Sequence, residues 1–254
     1  MLQERRNQII KKIKTTRTIK VVDLVNEYQV SIETIRRDLE YLEKAGYLRR
    51  VYGGAVLEGL YGEEPDFANR EIINFHEKLA IGKRAAELIE DGDTIFVDVG
   101  TTVLEVVQNF GDKKDLTVIT NATLIAHQIV KYDKFRVILL GGELRRGELS
   151  VAGPICEEEL SRFYANKMLM GVGGISLWSG VTDYHFSEAN IRRLMLERSS
   201  KVIAIADYSK FGVTAMNAIC PISKIDKLVT DWTVPKKTIS EFSDAGIDII
   251  VAYE

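Results

Sequence analysis

Apolar residues return at helical spacing three times near the start of the chain. Residues 2–14 (LQERRNQIIKKIK) place Leu2, Ile9, Ile10 and Ile13 on the inner face of a predicted helix. Residues 21–28 set Val21, Leu24, Val25 and Tyr28 along the apolar stripe of a second, shorter one. Only Gln29 and Val30 separate it from Ser31, whose hydroxyl suits a helix N-cap, and from a third stripe of Ile32, Ile35, Leu39 and Leu42. Two helices so closely joined have the spacing of a helix-turn-helix. Ala45 and Gly46 stop the third helix. Residues 47–56 then carry β-branched and aromatic residues around Gly53 and Gly54, as a β-hairpin would.

Residues 57–75, with Gly59, Gly62, Glu63, Glu64 and Pro65, hold neither a long helical nor an alternating pattern. They are expected to link two domains, residues 1–56 and residues 76–254. In the second domain, short apolar runs alternate with amphipathic helices. Predicted strands cover 94–99 (TIFVDV), 116–120 (LTVIT), 136–140 (RVILL), 168–172, 201–206 (KVIAIA), 227–230 and 247–252. Such runs with helices between them imply a mostly parallel, Rossmann-like sheet covered on both faces. The expected fold class is α/β, preceded by a winged helix-turn-helix.

Charge divides the chain in the same place. The formal net charge is −3, yet residues 1–56 hold twelve Lys or Arg against seven Asp or Glu, and the remainder holds 22 against 30. A basic module on an acidic body points to a polyanion partner at one end only. The surplus is modest, so one copy would hold DNA weakly, and a homo-oligomer, dimer or tetramer, is the expected remedy. No apolar run is long enough to span a membrane or is flanked as in a signal peptide, so a cytoplasmic protein with no membrane partner is expected. Cys156 and Cys220 lack CxxC spacing, and His76, His127 and His185 are scattered, so neither a disulfide framework nor a metal site is expected.

On the third helix, Glu33, Thr34, Arg37 and Tyr41 point away from the apolar stripe, a face suited to the major groove. Arg37 is the expected base-edge contact, and Arg36, nearer the buried flank, the expected phosphate contact. Arg49 and Arg50 lie on the hairpin, where a wing follows the phosphate backbone or enters the minor groove. Ser31 and Tyr52 complete the set expected to meet DNA. The plainer reading is a solvated face on which Glu33 and Arg37, four apart, pair with each other.

In the second domain, polar and small residues gather after the strands, where ligands bind on parallel sheets. Asp98, Gly100, Thr101 and Thr102 follow the first, Asn121 the second, Gly141 and Gly142 the third, and Gly173 and Gly174 the fourth. The fifth runs into Asp207, Ser209 and Lys210. Gly100, Thr101 and Thr102 lead straight into a helix, so N–H groups and two hydroxyls there suit an anion such as phosphate, or form only a capped connection. Asp98, Asp183, Glu188 and Lys210 suit a polyhydroxylated ligand. Each also has a plainer reading: Asp183 caps a turn, Glu188 complements a helix dipole, and Lys210 is a solvated lysine. No GxxxxGK[ST] is present, and residues 171–176 fail GxGxxG at the last place, so no nucleotide cofactor is expected.

TIRRDLEYLEKAGYLRRVYGGA resembles the N-terminal signature of the DeoR family of bacterial transcriptional regulators, with Tyr52 where many members have histidine. DGDTIFVDVGTT, LTVITNA, VILLGGELR, residues 171–174 and ADYSKFG are similar to that family's effector-binding domain. The resemblance implies a domain like ribose-5-phosphate isomerase in fold that binds phosphorylated sugars or intermediates of sugar metabolism. It implies phosphate contacts for Gly100, Thr101 and Thr102, and a sugar pocket lined by Asp98, Asn121, Gly141, Gly173, Asp183, Glu188 and Lys210. Relatives often carry lysine where this chain has Arg192, and a planar guanidinium there alters which ligand fits. The expected function is repression of a sugar-metabolism operon, with release from double-stranded operator DNA by a phosphorylated sugar and no enzymatic activity or cofactor. The alternative is a sugar-phosphate isomerase with an appended nucleic-acid module, using Asp183 or Glu188 as base and Lys210 as electrophile.

Overall fold

The computed structural model describes residues 2–16, 18–51, 53–56, 64 and 67–254. These divide into two compact units, with the boundary between Asn74 and Phe75.

In the first unit α1 (Leu2–Thr16) leads to β1 (Thr18–Lys20), α2 (Val21–Tyr28), α3 (Ile32–Lys44), β2 (Arg49–Val51), β3 (Gly54–Val56) and α4 (Phe67–Ile72). Ile9, Ile10 and Ile13 of α1 pack with Leu24 of α2 and with Ile35, Leu39 and Leu42 of α3. Two residues expected in that core are outside it: Leu2 is 51% and Ile32 46% exposed. Both sit in the first turn of their helix, and the buried stripes begin one or two turns further in. Gln29 adopts the left-handed conformation, φ 51°, that turns α2 into α3. The hairpin gains a strand that its sequence did not announce, in the order β1-β3-β2. A Cβ at Gly54 would fall 2.1 Å from the Ile19 carbonyl oxygen, so that close pairing admits only glycine. Most of residues 57–66 lie outside the described residues. Within the expected linker, α4 is a helix too short for its period to show.

The second unit begins with α5 (Phe75–Ala86), β4 (Thr94–Val97), α6 (Thr101–Val107), β5 (Thr117–Thr120), α7 (Thr123–Ile129) and β6 (Arg136–Leu139). A hairpin of β7 (Glu143–Arg145) and β8 (Ser150–Ala152) follows, then α8 (Pro154–Leu160), β9 (Ala165–Gly171), β10 (Gly174–Ser176) and β11 (Gly180–Asp183). The chain ends with α9 (Phe186–Glu197), β12 (Ser199–Ile205), β13 (Asn217–Cys220), β14 (Lys227–Asp231), α10 (Lys236–Asp244) and β15 (Asp248–Ala252). All seven predicted strands join one parallel sheet, in the order β15-β14-β12-β9-β4-β5-β6.

Alternation along the strands sorts side chains onto its two faces. Ile95, Val97, Val118 and Leu169 pack under α5, α6 and α7. Phe96, Ile119, Met168 and Met170 pack under α8, α9 and α10. Each such side chain, fully buried, contributes about 1.5–3 kcal/mol. Two elements were not foreseen: the β7–β8 hairpin and a small antiparallel sheet, β10-β11-β13. Their strands are three or four residues long, too short for a period to register.

The strand order positions the site. From β4 the chain moves outward to β5 and β6, then returns to lay β9 on the other side of β4 and continues to β12, β14 and β15. Direction reverses between β4 and β9, and such a switch point opens a crevice at the strands' carboxyl ends.

Candidate functional site

The first unit presents α3. Ser31 caps it, its Oγ accepting the Thr34 N–H at 3.2 Å and lying 2.9 Å from the Thr34 hydroxyl. Glu33, Arg36 and Arg37 are exposed, and neither arginine pairs with a carboxylate among the described residues. Tyr41 is half-buried with the Arg6 guanidinium 3.8 Å above its ring. Asp38 is buried and accepts from Arg5 Nε at 2.6 Å and Arg6 Nε at 2.7 Å. This clamp ties α1 to α3, and it was missed, although Asp38 falls on the stripe of Ile35, Leu39 and Leu42.

Glu43 in turn holds the hairpin, accepting the Arg50 N–H at 2.6 Å and Nε at 2.5 Å. Burial alone would raise the Glu43 carboxyl, and the bonds from Arg50 hold it below its usual range. Arg50 is thus exposed but anchored. Tyr52 and the Arg49 side chain lie outside what the structure describes.

In the second unit, β12, β9, β4, β5 and β6 are consecutive neighbours, so their carboxyl ends form one rim. Asp98 leaves β4 on the α9 side. Its Oδ1 accepts the Val99 N–H at 2.8 Å, and its Oδ2 accepts the Gly171 N–H at 3.0 Å and Arg192 Nε at 2.5 Å. Arg192 also pairs with Asp183 and lies 4.0 Å from Glu188. Glu188 is 2.9 Å from Arg145 Nη1 and accepts the Ser150 hydroxyl at 2.6 Å. Burial pushes the Asp98 carboxyl above its ordinary range despite Arg192 beside it. Asp98, Asp183 and Glu188 therefore come together around Arg192 and Arg145. Arg192 lies on the buried stripe with Glu188, Ile191 and Met195.

The opposite side of the crevice holds the start of α6. Gly100, at φ 150° and ψ 151°, makes a turn restricted to glycine before α6. Thr101 and Thr102 are buried. Helices α5 and α6 both start at the rim and run side by side, and a Cβ at Gly82 would stand 2.7 Å from the Glu105 backbone. One turn before Gly82 on α5, Lys78 is buried. Lys78 and Lys210 both act on buried Asp207. Burial alone would raise this carboxyl, but the two ammoniums and the bonds from Ser209 hold it below its usual range. On the neighbouring strand, burial and Asp207 push Asp231 up to about 6 against its hydrogen bonds from Thr233 and Tyr208. Lys78 was also missed, although it shares the buried stripe of Ile81 and Ala85.

The remaining expected residues sit on the rim in supporting positions. Asn121 Nδ2 donates to the Val151 carbonyl at 2.9 Å, and its buried Oδ1 has no hydrogen-bond partner among the described residues. The Gly141 N–H is taken by Glu159 at 2.6 Å. Gly142 lies against Ala152 and Cys156, Gly173 against Thr182 and Asp183, and Gly174 against Val213, so these three serve close packing. Among the described residues no His, Cys, Asp and Glu cluster is arranged to hold a metal ion, and no helix is long and apolar enough to cross a membrane.

Residues 5–58 match the model of the DeoR-like helix-turn-helix domain, and residues 73–232 match that of the DeoR C terminal sensor domain. The chain belongs to the DeoR family. It is 31% identical to a putative aga operon transcriptional repressor of Escherichia coli O157:H7, over 99% of this chain and 94% of that one. It is 33% identical to the transcriptional regulator GolR of Listeria innocua, over 98% of each. The glycerol-3-phosphate regulon repressor of Escherichia coli K12 is 31% identical over 97% of each. These DeoR-type relatives are regulators and repressors, so the isomerase reading gives way: the protein is a transcriptional regulator, not an enzyme. Among solved structures, ribose 5-phosphate isomerase A from Neisseria gonorrhoeae is similar at TM-score 0.40 and 17% identity, over 54% of this chain and 53% of that one.

Proposed function

We propose that the protein represses a sugar-metabolism operon in the cytoplasm, and that a phosphorylated sugar releases it from double-stranded operator DNA. Residues 1–56 read the DNA, residues 57–75 link, and residues 76–254 hold the effector. What supports this reading is an anion corner at the switch point: two threonines are buried at the start of α6, and Lys78 and Lys210 act on buried Asp207. That one relative is named for a glycerol-3-phosphate regulon supports a phosphorylated ligand. Ligand hydroxyls meet Asn121 and the residues around Glu188, while Asp98 and Asp183 act mainly by fixing Arg192. The DNA-facing set is Arg36, Arg37, Glu33 and the wing arginines, with Ser31 and Tyr41 shaping α3. A dimer or tetramer would present two such helices to half-sites one helical turn apart.

Release requires the effector to bind the DNA-free form better, and DNA then weakens the effector by the same factor. Binding is measured on the DNA upstream of the protein's own gene, at fixed salt, with and without sugar phosphates. Replacing Thr101 and Thr102 together with valine is expected to leave operator affinity intact and abolish release. Unchanged release would remove that corner from the site.

A second expectation concerns Arg37. The R37A variant should lose about 1–3 kcal/mol at the operator and relax preference at one base pair. Equal weakening on every DNA sequence, in a gel-shift series, would make Arg37 a phosphate contact instead.

A further inference from the structure

Five charged side chains form the network on the α9 side of the crevice, and they differ in what they present to solvent. Asp98, Asp183 and Glu188 are buried, and Arg192 is 6% exposed; Arg145 is 20% exposed. Arg145 is the most exposed member of the network. Its position is fixed by the hairpin. Arg145 and Ser150 are register partners on β7 and β8, so their side chains share one face, and both reach Glu188. β8 is sewn to the rim by Asn121, whose carbonyl accepts the Val151 N–H at 2.7 Å, and by Thr123, which donates its N–H at 2.9 Å and its hydroxyl at 2.6 Å to the Leu149 carbonyl.

We propose, resting on the functional reading above, that the Arg145–Glu188 pair is the effector-selecting subsite. It holds the hydroxyl- or carbonyl-bearing end of a sugar carrying one phosphate, at the far end from the anion corner. Arg145 offers only donors, and the Glu188 carboxylate oxygens paired with it accept. A sugar hydroxyl, which both donates and accepts, satisfies the two at once, and a carbonyl beside a hydroxyl does the same. A second phosphate or a carboxylate fits worse. The guanidinium is already neutralised by Glu188, and three buried carboxylates against two arginines leave the network without surplus positive charge. Arg145 thereby selects monophosphorylated sugars over bisphosphates and phosphorylated sugar acids.

The test is calorimetric titration of the full chain with inorganic phosphate, glycerol 3-phosphate, ribose 5-phosphate, fructose 6-phosphate and fructose 1,6-bisphosphate. The wild type should bind one monophosphate at least tenfold tighter than the bisphosphate. R145A should weaken that monophosphate at least tenfold, about 1.4 kcal/mol, while inorganic phosphate changes less than twofold. R145K, which keeps the charge but not the planar fork, should fall between. Thermal unfolding checks the fold, and if R145A does not fold, R145K carries the test at a threefold loss. The inference is overturned if the variant binds its best sugar phosphate as the wild type does, or if sugar phosphate and inorganic phosphate weaken in parallel. Loss of all binding in the double valine variant beside an unchanged R145A would sink the Arg145 subsite and spare the anion corner. Wild-type indifference to every compound would sink both.

Discussion

Replacing Arg192 with methionine should destabilise the second unit by about 3–5 kcal/mol, because it strips the counter-ion from carboxylates that stay buried. Asp98 keeps its two backbone N–H donors and Asp183 keeps that of His185, but neither has another cation at contact distance among the described residues. Denaturant unfolding measures the loss, and its pH dependence separates this cause from simple loss of packing. Without the guanidinium that lowers it, the Asp98 carboxyl, already held above its ordinary range by burial, rises further. The folded variant then takes up protons as pH falls toward the unfolded range, and the deficit relative to wild type shrinks with acidification. A deficit that stays constant from pH 7 to pH 5 would mean that Arg192 matters for its volume rather than its charge. Substituting Asp98 and Asp183 with asparagine in the same variant should recover part of the loss, since two neutral amides cost less to bury than two lone carboxylates.

The second large effect belongs to the DNA-reading unit. Asp38→Ala removes the acceptor shared by Arg5 and Arg6, so α3 loses its polar tie to α1. The expected cost is about 2–4 kcal/mol of stability, below the upper range for a broken buried pair because both arginines sit near the surface and can turn to water. The functional consequence is larger than the contact suggests. Asp38 faces inward one position beyond Arg37, so its loss lets the reading face rotate, and operator affinity should fall for every sequence together. Sugar-phosphate binding should not change. Gel-shift and calorimetric titration of one preparation check both halves, and an operator affinity equal to wild type would show that packing of Ile35, Leu39 and Leu42 alone holds the helix in place.

Both predictions rest on charged residues lying on stripes that otherwise read as apolar. The stripes themselves were legible. Ile9, Ile10, Ile13, Ile35, Leu39 and Leu42 are buried as their spacing requires, and each of the seven short apolar runs became a strand of one sheet. Legibility failed at first turns, where Leu2 and Ile32 continue the period but stand beyond the element they would pack against. It failed again for the β7–β8 hairpin and the β10-β11-β13 sheet, whose three- or four-residue strands are set by pairing with distant partners. Of the candidate site, the rim after the strands was readable because small and polar residues break each apolar run. Which of them face a ligand was not. Gly141, Gly142, Gly173 and Gly174 share the rim with Thr101 and Thr102, yet the glycines serve packing or a bond to Glu159.

Local order of apolar and polar residues by itself determined the helix-turn-helix, the hairpin after it, the parallel character of the sheet and the row of polar strand ends, because each depends on neighbours a few positions apart. Tertiary structure alone decided what those ends do. Asp98 and Arg192 are separated by 94 positions, and Ser150 and Glu188 by 38. A buried charge is tolerable only where a partner meets it. Where that partner comes from is settled by the order in which strands lie down, and here the reversal between β4 and β9 brings α9 and the hairpin to the same crevice.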